Sequence, residues 1–184
     1  MSELKNESMR VICLAGLIGS GKDMAADYIS KKYGYSVIDY ANILREMCKK
    51  EGLELTRDNL QNLRVKYGNT FLAEEVVKRV KESKSEKFIL TPLRRSEDFE
   101  IPKKAFGKSV KLIVIETDAK IRFERLNKRG RENDPKNFED FQRQEKRENE
   151  IFNFDKTFSY VDYKVNNNGT PEELKTALDK VMKK

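Results

Sequence analysis

A chain of 184 residues suits one domain with a proper core, and it carries a net charge of +7 with two cysteines and no histidine. The missing imidazole excludes His-based acid–base chemistry and the commonest zinc ligand, and no run is apolar enough to span a bilayer. The lysines are interleaved with Glu and Asp, which fits a solvated surface rather than a nucleic-acid stripe, and the opening Met1-Ser2-Glu3-Leu4-Lys5 has no signal-peptide pattern, so a cytoplasmic protein without a membrane partner is expected.

The first predicted strand, Val11-Ile12-Cys13-Leu14-Ala15, runs into Gly16-Leu17-Ile18-Gly19-Ser20-Gly21-Lys22-Asp23. Met24, Ala25, Tyr28 and Ile29 then leave at helical spacing. This is the phosphate-loop pattern G-x-x-x-x-G-K-[ST], except that Asp23 stands where a hydroxyl residue is usual. Glycines let successive backbone N–H groups converge on one concave surface, the helix points its positive end there, and Lys22 adds a full charge. Gly16, Ile18, Gly19, Ser20, Gly21, Lys22, Asp23 and Met24 are therefore the candidate contacts to a polyphosphate.

Tyr35 to Asp39 reads as a second strand, followed by helices over 41–50, from the N-cap Thr56 through Val65, and over 70–81. Leu60, Leu63, Phe71, Leu72, Val76 and Val80 in these helices read as core, and no functional motif is legible between Leu53 and Lys84. Phe88 to Thr91 is a short buried strand closed by Pro92. Val110 to Ile115 is the longest β-branched run and leads into a helix over 118–128. A polar loop over 130–137, a charged helix over 138–150 and a fifth strand over 160–165 follow. Phe152, Phe154 and Phe158, between the last two, pack either a lid hinge or the core, with the core the expected place. Thr170-Pro171-Glu172-Glu173 caps the final helix. Cys13 and Cys48 read as buried, reduced thiols. Alternation throughout predicts an α/β domain, a parallel sheet with helices on both faces, and a nucleotide site at the carboxyl ends of its strands.

Arginines gather at those ends. Arg45 emerges one turn after the second strand and Arg94 just after the third, where two guanidiniums could clamp a second phosphate near Lys22. Arg122, Arg125 and Arg129 share helical spacing before the loop at Gly130-Arg131, and Arg143 and Arg147 lie four residues apart beyond it. A loop flanked by arginines on both sides reads as a lid over 129–150, closing on transferring phosphates. Surface ion pairs are the competing explanation for each of these arginines, Arg143 with Glu139 and Arg147 with Glu150 among them.

The chain resembles P-loop nucleoside-monophosphate kinases over nearly its whole length. Gly-Lys-Asp followed by Ala26-Asp27-Tyr28-Ile29 is similar to phage-type deoxynucleoside-monophosphate kinases, while Arg122 to Arg131, Asp162-Tyr163 and Asn167-Asn168-Gly169-Thr170 are similar to archaeal adenylate-kinase-related and dephospho-CoA-kinase-like proteins. The resemblance implies a single P-loop domain with three layers, strand order 2-3-1-4-5, an acceptor-binding helical region over 40–86, and usually a monomer. It implies ATP and Mg²⁺ as cofactors and a small nucleotide as acceptor. Arg45 and Arg94 would hold the acceptor phosphate, Arg125 and Arg129 would border ATP, Arg143 and Arg147 would arrive from the far side of the lid, and Asn167 would lie beside the adenine. Such kinases usually carry Ser or Thr at the position of Asp23 and an acid at that of Thr91, so an exchange of roles at Mg²⁺ is expected: carboxylate from Asp23, hydroxyl from Thr91. Ala41 and Asn42 replace a Gly and an Asp of the family, so acceptor specificity does not carry over.

Transfer to a phosphate needs positioning and charge neutralisation rather than a base. Two other readings stay open. Phosphorylation of an alcohol, as in dephospho-CoA kinase, would need Asp39 as base, and a nucleotide-gated regulatory protein would need no acceptor.

Overall fold

The computed structural model describes residues 9–131 and 134–183, apart from the side chains at 57, 58 and 61. The opening pentapeptide and two positions of the loop at 130–137 therefore lie outside the described residues. Five parallel strands, β1 (Arg10–Ala15), β2 (Ser36–Asp39), β3 (Lys87–Thr91), β4 (Val110–Glu116) and β5 (Tyr163–Asn166), form one sheet in the order β2-β3-β1-β4-β5. This is the expected order. Helices α1 (Lys22–Tyr33), α2 (Tyr40–Lys50), α3 (Arg57–Tyr67), α4 (Phe71–Glu82), α5 (Glu97–Phe106), α6 (Ala119–Arg129), α7 (Phe138–Phe152), α8 (Phe154–Phe158) and α9 (Pro171–Met182) surround it.

The period of two along β1 divides the core. Val11, Cys13 and Ala15 face one layer with Ile43 and Leu44 of α2, Val76 and Val80 of α4, and Phe99 and Phe106 of α5. Ile12 and Leu14 face the other, with Ala25 and Ile29 of α1 and Leu174 and Leu178 of α9. Leu63, Leu72, Val76 and Val80 are buried and Leu60 and Phe71 pack against them, as read. Both cysteines are free and buried, and burial pushes the Cys13 thiol far above its ordinary range. Asp39 caps α2, Thr56 caps α3, and Thr170 with Glu173 forms a capping box on α9.

The sequence reading misses α5, because Pro102 inside it reads as a breaker. The lost N–H would have bonded the carbonyl of Asp98. The buried Tyr40 hydroxyl donates to that carbonyl instead, at 2.8 Å, so the helix tolerates its proline. The strand expected from Tyr160 begins only at Tyr163. Tyr160 stacks on Phe99 instead, and the Asp162 carboxylate accepts the Leu112 N–H at 2.8 Å. Of the three phenylalanines assigned to the core, Phe154 is buried and Phe158 packs against it, but Phe152 goes elsewhere.

Candidate active site

The phosphate loop leaves β1 and enters α1 through two glycines in the left-handed region, Gly19 at φ 77° and Gly21 at φ 88°. A Cβ on Gly21 would stand 2.3 Å from Asn167 Nδ2, and one on Gly19 would stand 2.8 Å from the Arg122 carbonyl oxygen. Both positions therefore require glycine on two counts. Side chains behind the loop take its carbonyls. Asn167 Nδ2 donates to Ser20 O at 2.7 Å, Arg122 Nη1 to Ile18 O at 3.3 Å, and Thr117 Oγ1 lies 3.1 Å from Ser20 O. Gly21 supplies no side-chain cap, so the first amides of α1 have no protein acceptor there. The result is a row of N–H groups at a helix N-terminus with its carbonyls turned away, which is an anion cradle.

Lys22 is the first helical residue. Burial holds its pKa below the ordinary 10.5; Asp23 opposes this, the positive charge of Arg94 adds to it, Glu148 opposes it and Arg129 adds to it. The charges of two expected arginines thus bear on the lysine from remote elements, Arg94 from beyond β3 and Arg129 from the end of α6. Arg129 Nε also donates to Asp134 at 3.0 Å. Arg125 Nη2 donates to the Asn167 carbonyl at 2.9 Å, while its Nη1 is buried beside Gly21 without a hydrogen-bond partner. An orphaned guanidinium donor beside the cradle fits a bound phosphate oxygen. Asn167, expected beside a base, has its amide committed to the loop backbone.

Helix α7 departs from expectation. Arg143 is 71% exposed and pairs with Asp140 of its own helix, and Arg147 is exposed too, so this pair forms the outer face. The inner face is Phe141, Glu145, Glu148 and Phe152, at helical spacing. Glu145 pairs with Arg122, which is only 5% exposed, lies over the Phe141 ring and donates to Thr117 O at 2.8 Å. Arg122, for which a surface ion pair was the competing explanation, is a buried strut under the phosphate loop.

The acceptor side also differs. Arg45 is exposed and donates to Asn42 of its own turn, which keeps it out of the cleft. The cleft is lined instead by Arg64, Arg94 and Arg95 with Tyr40, Leu72 and Asp98. The three guanidiniums lie over the Phe152 ring at 6.0, 5.0 and 5.5 Å from its centre. Burial lowers the Arg64 pKa, and the charges of Arg94 and Arg95 add to that. The Asp98 carboxylate accepts from the backbone, from Arg94 N at 2.9 Å and Arg95 N at 3.0 Å. Its own pKa is raised, chiefly by burial. Arg64 and Phe152 were missed. The available signal was an arginine among the apolar positions of α3 and a phenylalanine one turn beyond Glu148.

Asp39 Oδ1 accepts the amides of Ala41 and Asn42 at 2.6 and 3.2 Å, so the candidate base caps α2. Thr91 pairs in register with Asp39, and its hydroxyl is buried without a partner, as is that of Ser20. Asp23 and Met24 are exposed in the first turn of α1. Among the described residues no group of three or more His, Cys, Asp or Glu side chains could hold a metal ion unaided. A carboxylate at the loop's end and an unpartnered hydroxyl at the β3 edge are hard oxygen donors suited to an ion that shares its shell with phosphate.

Residues 15–142 match a family model described as an AAA domain. The chain is 33% identical over 178 residues to the UPF0200 protein MJ1399 of Methanocaldococcus jannaschii, covering 95% of this chain and 89% of that protein. The chain belongs to the AAA-domain family and to the UPF0200 proteins. A UPF0200/UPF0201 protein of Archaeoglobus fulgidus is 30% identical over 182 residues, and the chain spans 56% of that longer relative. Among solved structures, shikimate kinase from Bacteroides thetaiotaomicron superposes with a TM-score of 0.64 at 14% identity, covering 95% of this chain and 97% of that one. The fold is that of a P-loop kinase.

Proposed function

We propose that the protein transfers the terminal phosphoryl group of ATP to a phosphate-bearing small molecule, most simply a nucleoside or deoxynucleoside monophosphate. One observation carries this reading: Arg94 links the two halves of the site. Its charge acts on Lys22, and its guanidinium shares the Phe152 face with Arg64 and Arg95. Cations grouped this way with few carboxylates among them match a donor phosphate chain on one side and an acceptor phosphate on the other.

The loop amides, Lys22 and Arg125 would hold the donor phosphates, and Arg129 would reach them from the end of α6. Asp23 and Thr91 would hold Mg²⁺ together with those phosphates. The ion would supply positive charge at the donor oxygens. Arg94 would hold the acceptor phosphate toward Lys22, with Arg64 and Arg95 fixing its remaining oxygens. A phosphate acceptor is already ionised, so Asp39 can stay a helix cap.

The experiment is ADP release from ATP·Mg²⁺ against a panel of ribo- and deoxyribonucleoside monophosphates and dephospho-CoA. Stimulation by a monophosphate, lost in Arg94→Ala, is the expected result. The kinship in fold with a shikimate kinase and the place of Asp39 at the sheet edge favour a second reading, phosphorylation of a hydroxyl. Stimulation by the alcohol acceptor alone, abolished in Asp39→Asn although Asn also caps helices, would replace the first reading with that one. ATP binding with no stimulated turnover would leave a nucleotide-gated regulator.

A further inference from the structure

Helix α7 crosses the site fastened at two points. At its middle, Glu145 is paired with Arg122, whose Nη1 holds the Ile18 carbonyl of the phosphate loop. At its C-terminus, Phe152 lies under the guanidiniums of Arg64, Arg94 and Arg95. Glu148 lies between these anchors on the same face, so the helix carries its carboxylate over the gap between donor and acceptor sites. One oxygen lies 3.8 Å from Arg94 Nη1. The other accepts from Gln144 Nε2 at 3.2 Å. The side chain is only 17% exposed. Its negative charge also acts on Lys22. The carboxylate is thus placed on the Arg94 cation, and its charge favours the protonated form of Lys22 as well.

From this juxtaposition we infer that Glu148 is a specificity-determining internal anion, filling the place of the transferring phosphate between Lys22 and Arg94 until phosphates displace it. The inference rests on the phosphotransferase reading and adds to it. A charged carboxylate beside Lys22 and Arg94 competes with any anion for both. A polyphosphate alone must overcome it, whereas donor and acceptor together bring enough charge to both sides. The residue acts through Lys22 and Arg94, as a positioning residue, and its cost falls most heavily on ATP bound without an acceptor. That arrangement discriminates against transfer to water.

The test is titration calorimetry with inorganic tripolyphosphate, which carries the charge of the donor without base or ribose. Glu148→Gln keeps the shape and the Gln144 contact and is expected to bind about tenfold tighter than the unchanged protein. It should also release ADP from ATP faster when no acceptor is present. Glu148→Asp, which keeps the charge, should return affinity toward the starting value. Glu150→Gln, which removes an exposed charge from the same helix, controls for net charge and should change affinity less than twofold. A residue that merely supported the fold would weaken binding when altered. Unchanged or weaker binding in Glu148→Gln, or equal tightening in Glu150→Gln, overturns the role of Glu148 while leaving the phosphotransferase reading standing. Failure of both the unchanged protein and Glu148→Gln to bind tripolyphosphate overturns that reading, and this inference with it.

Discussion

The two halves of the site are built in different ways. The donor half is nearly contiguous: β1, the six loop residues Gly16 to Gly21 and the first turn of α1 supply the glycines, Lys22 and Asp23 in one stretch of backbone. The acceptor half has no local plan. Arg64 comes from α3, Arg94 and Arg95 from the segment after β3, and Phe152 from the end of α7, with Asp98 holding the arginine backbones from below. A site made of amides depends on φ and ψ, which a short motif specifies. A site made of guanidiniums depends on side chains meeting, which only packing specifies.

The largest loss is expected at Lys22. Lys22→Met should lower acceptor-stimulated ADP release about 100- to 1000-fold without loss of fold, read by steady-state kinetics and thermal melting. Next is the strut between the halves. Glu145→Ala leaves the Arg122 guanidinium buried without its carboxylate and should cost about 3 kcal/mol in a denaturant titration. The outer-face change Arg143→Ala should leave the same titration unmoved. On the acceptor side, Arg64→Ala should reduce kcat/KM for the acceptor about 10- to 100-fold with the KM for ATP little changed. Arg45→Ala should stay within about twofold, and equal losses in the two would restore the sequence-based assignment. Gly21→Ala should cost about 1–2 kcal/mol from its left-handed backbone alone and weaken ATP binding through the clash with Asn167.

The gentlest probe is pH. Burial holds the Lys22 pKa below 10.5, so tripolyphosphate affinity should fall as pH rises through that lowered value, earlier than for an ordinary lysine. Lys22→Arg should remove the fall. Stability of the ligand-free protein should move in the opposite sense. Between the lowered pKa and 10.5 the unfolded chain keeps a proton that the folded chain has lost, so Lys22 makes folding more favourable as pH rises through that window.

Much of the fold could be read from residues alone. Strand order followed from the resemblance, and Thr56 and Thr170 marked helix starts where the structure has them. α5 was hidden because its proline is offset by a hydroxyl from Tyr40, far away in sequence. Of the arginines expected in the site, Arg94 and Arg129 bear on Lys22 through their charges. Arg143 and Arg147 were misplaced because a spacing of four puts two side chains on the same helix face without saying which face turns inward, and Arg45, read from its place after β2, turns to Asn42 of its own helix. On α7 the inward face belongs to Phe141 and Phe152, whose burial turns Glu145 and Glu148 toward the site and the arginines toward solvent.

By itself the sequence determined what is local: a phosphate cradle at a strand–helix junction, a parallel sheet behind it, and a chain without imidazole. Glycine conformations and hydrophobic periods act over a few residues, so they are written contiguously. Tertiary structure alone decided which arginines share Phe152, that Asn167 and Arg122 brace the loop, and that Glu148 comes within 3.8 Å of Arg94. Those meetings depend on how helices rotate to bury their apolar faces, and that is settled only when the whole core packs.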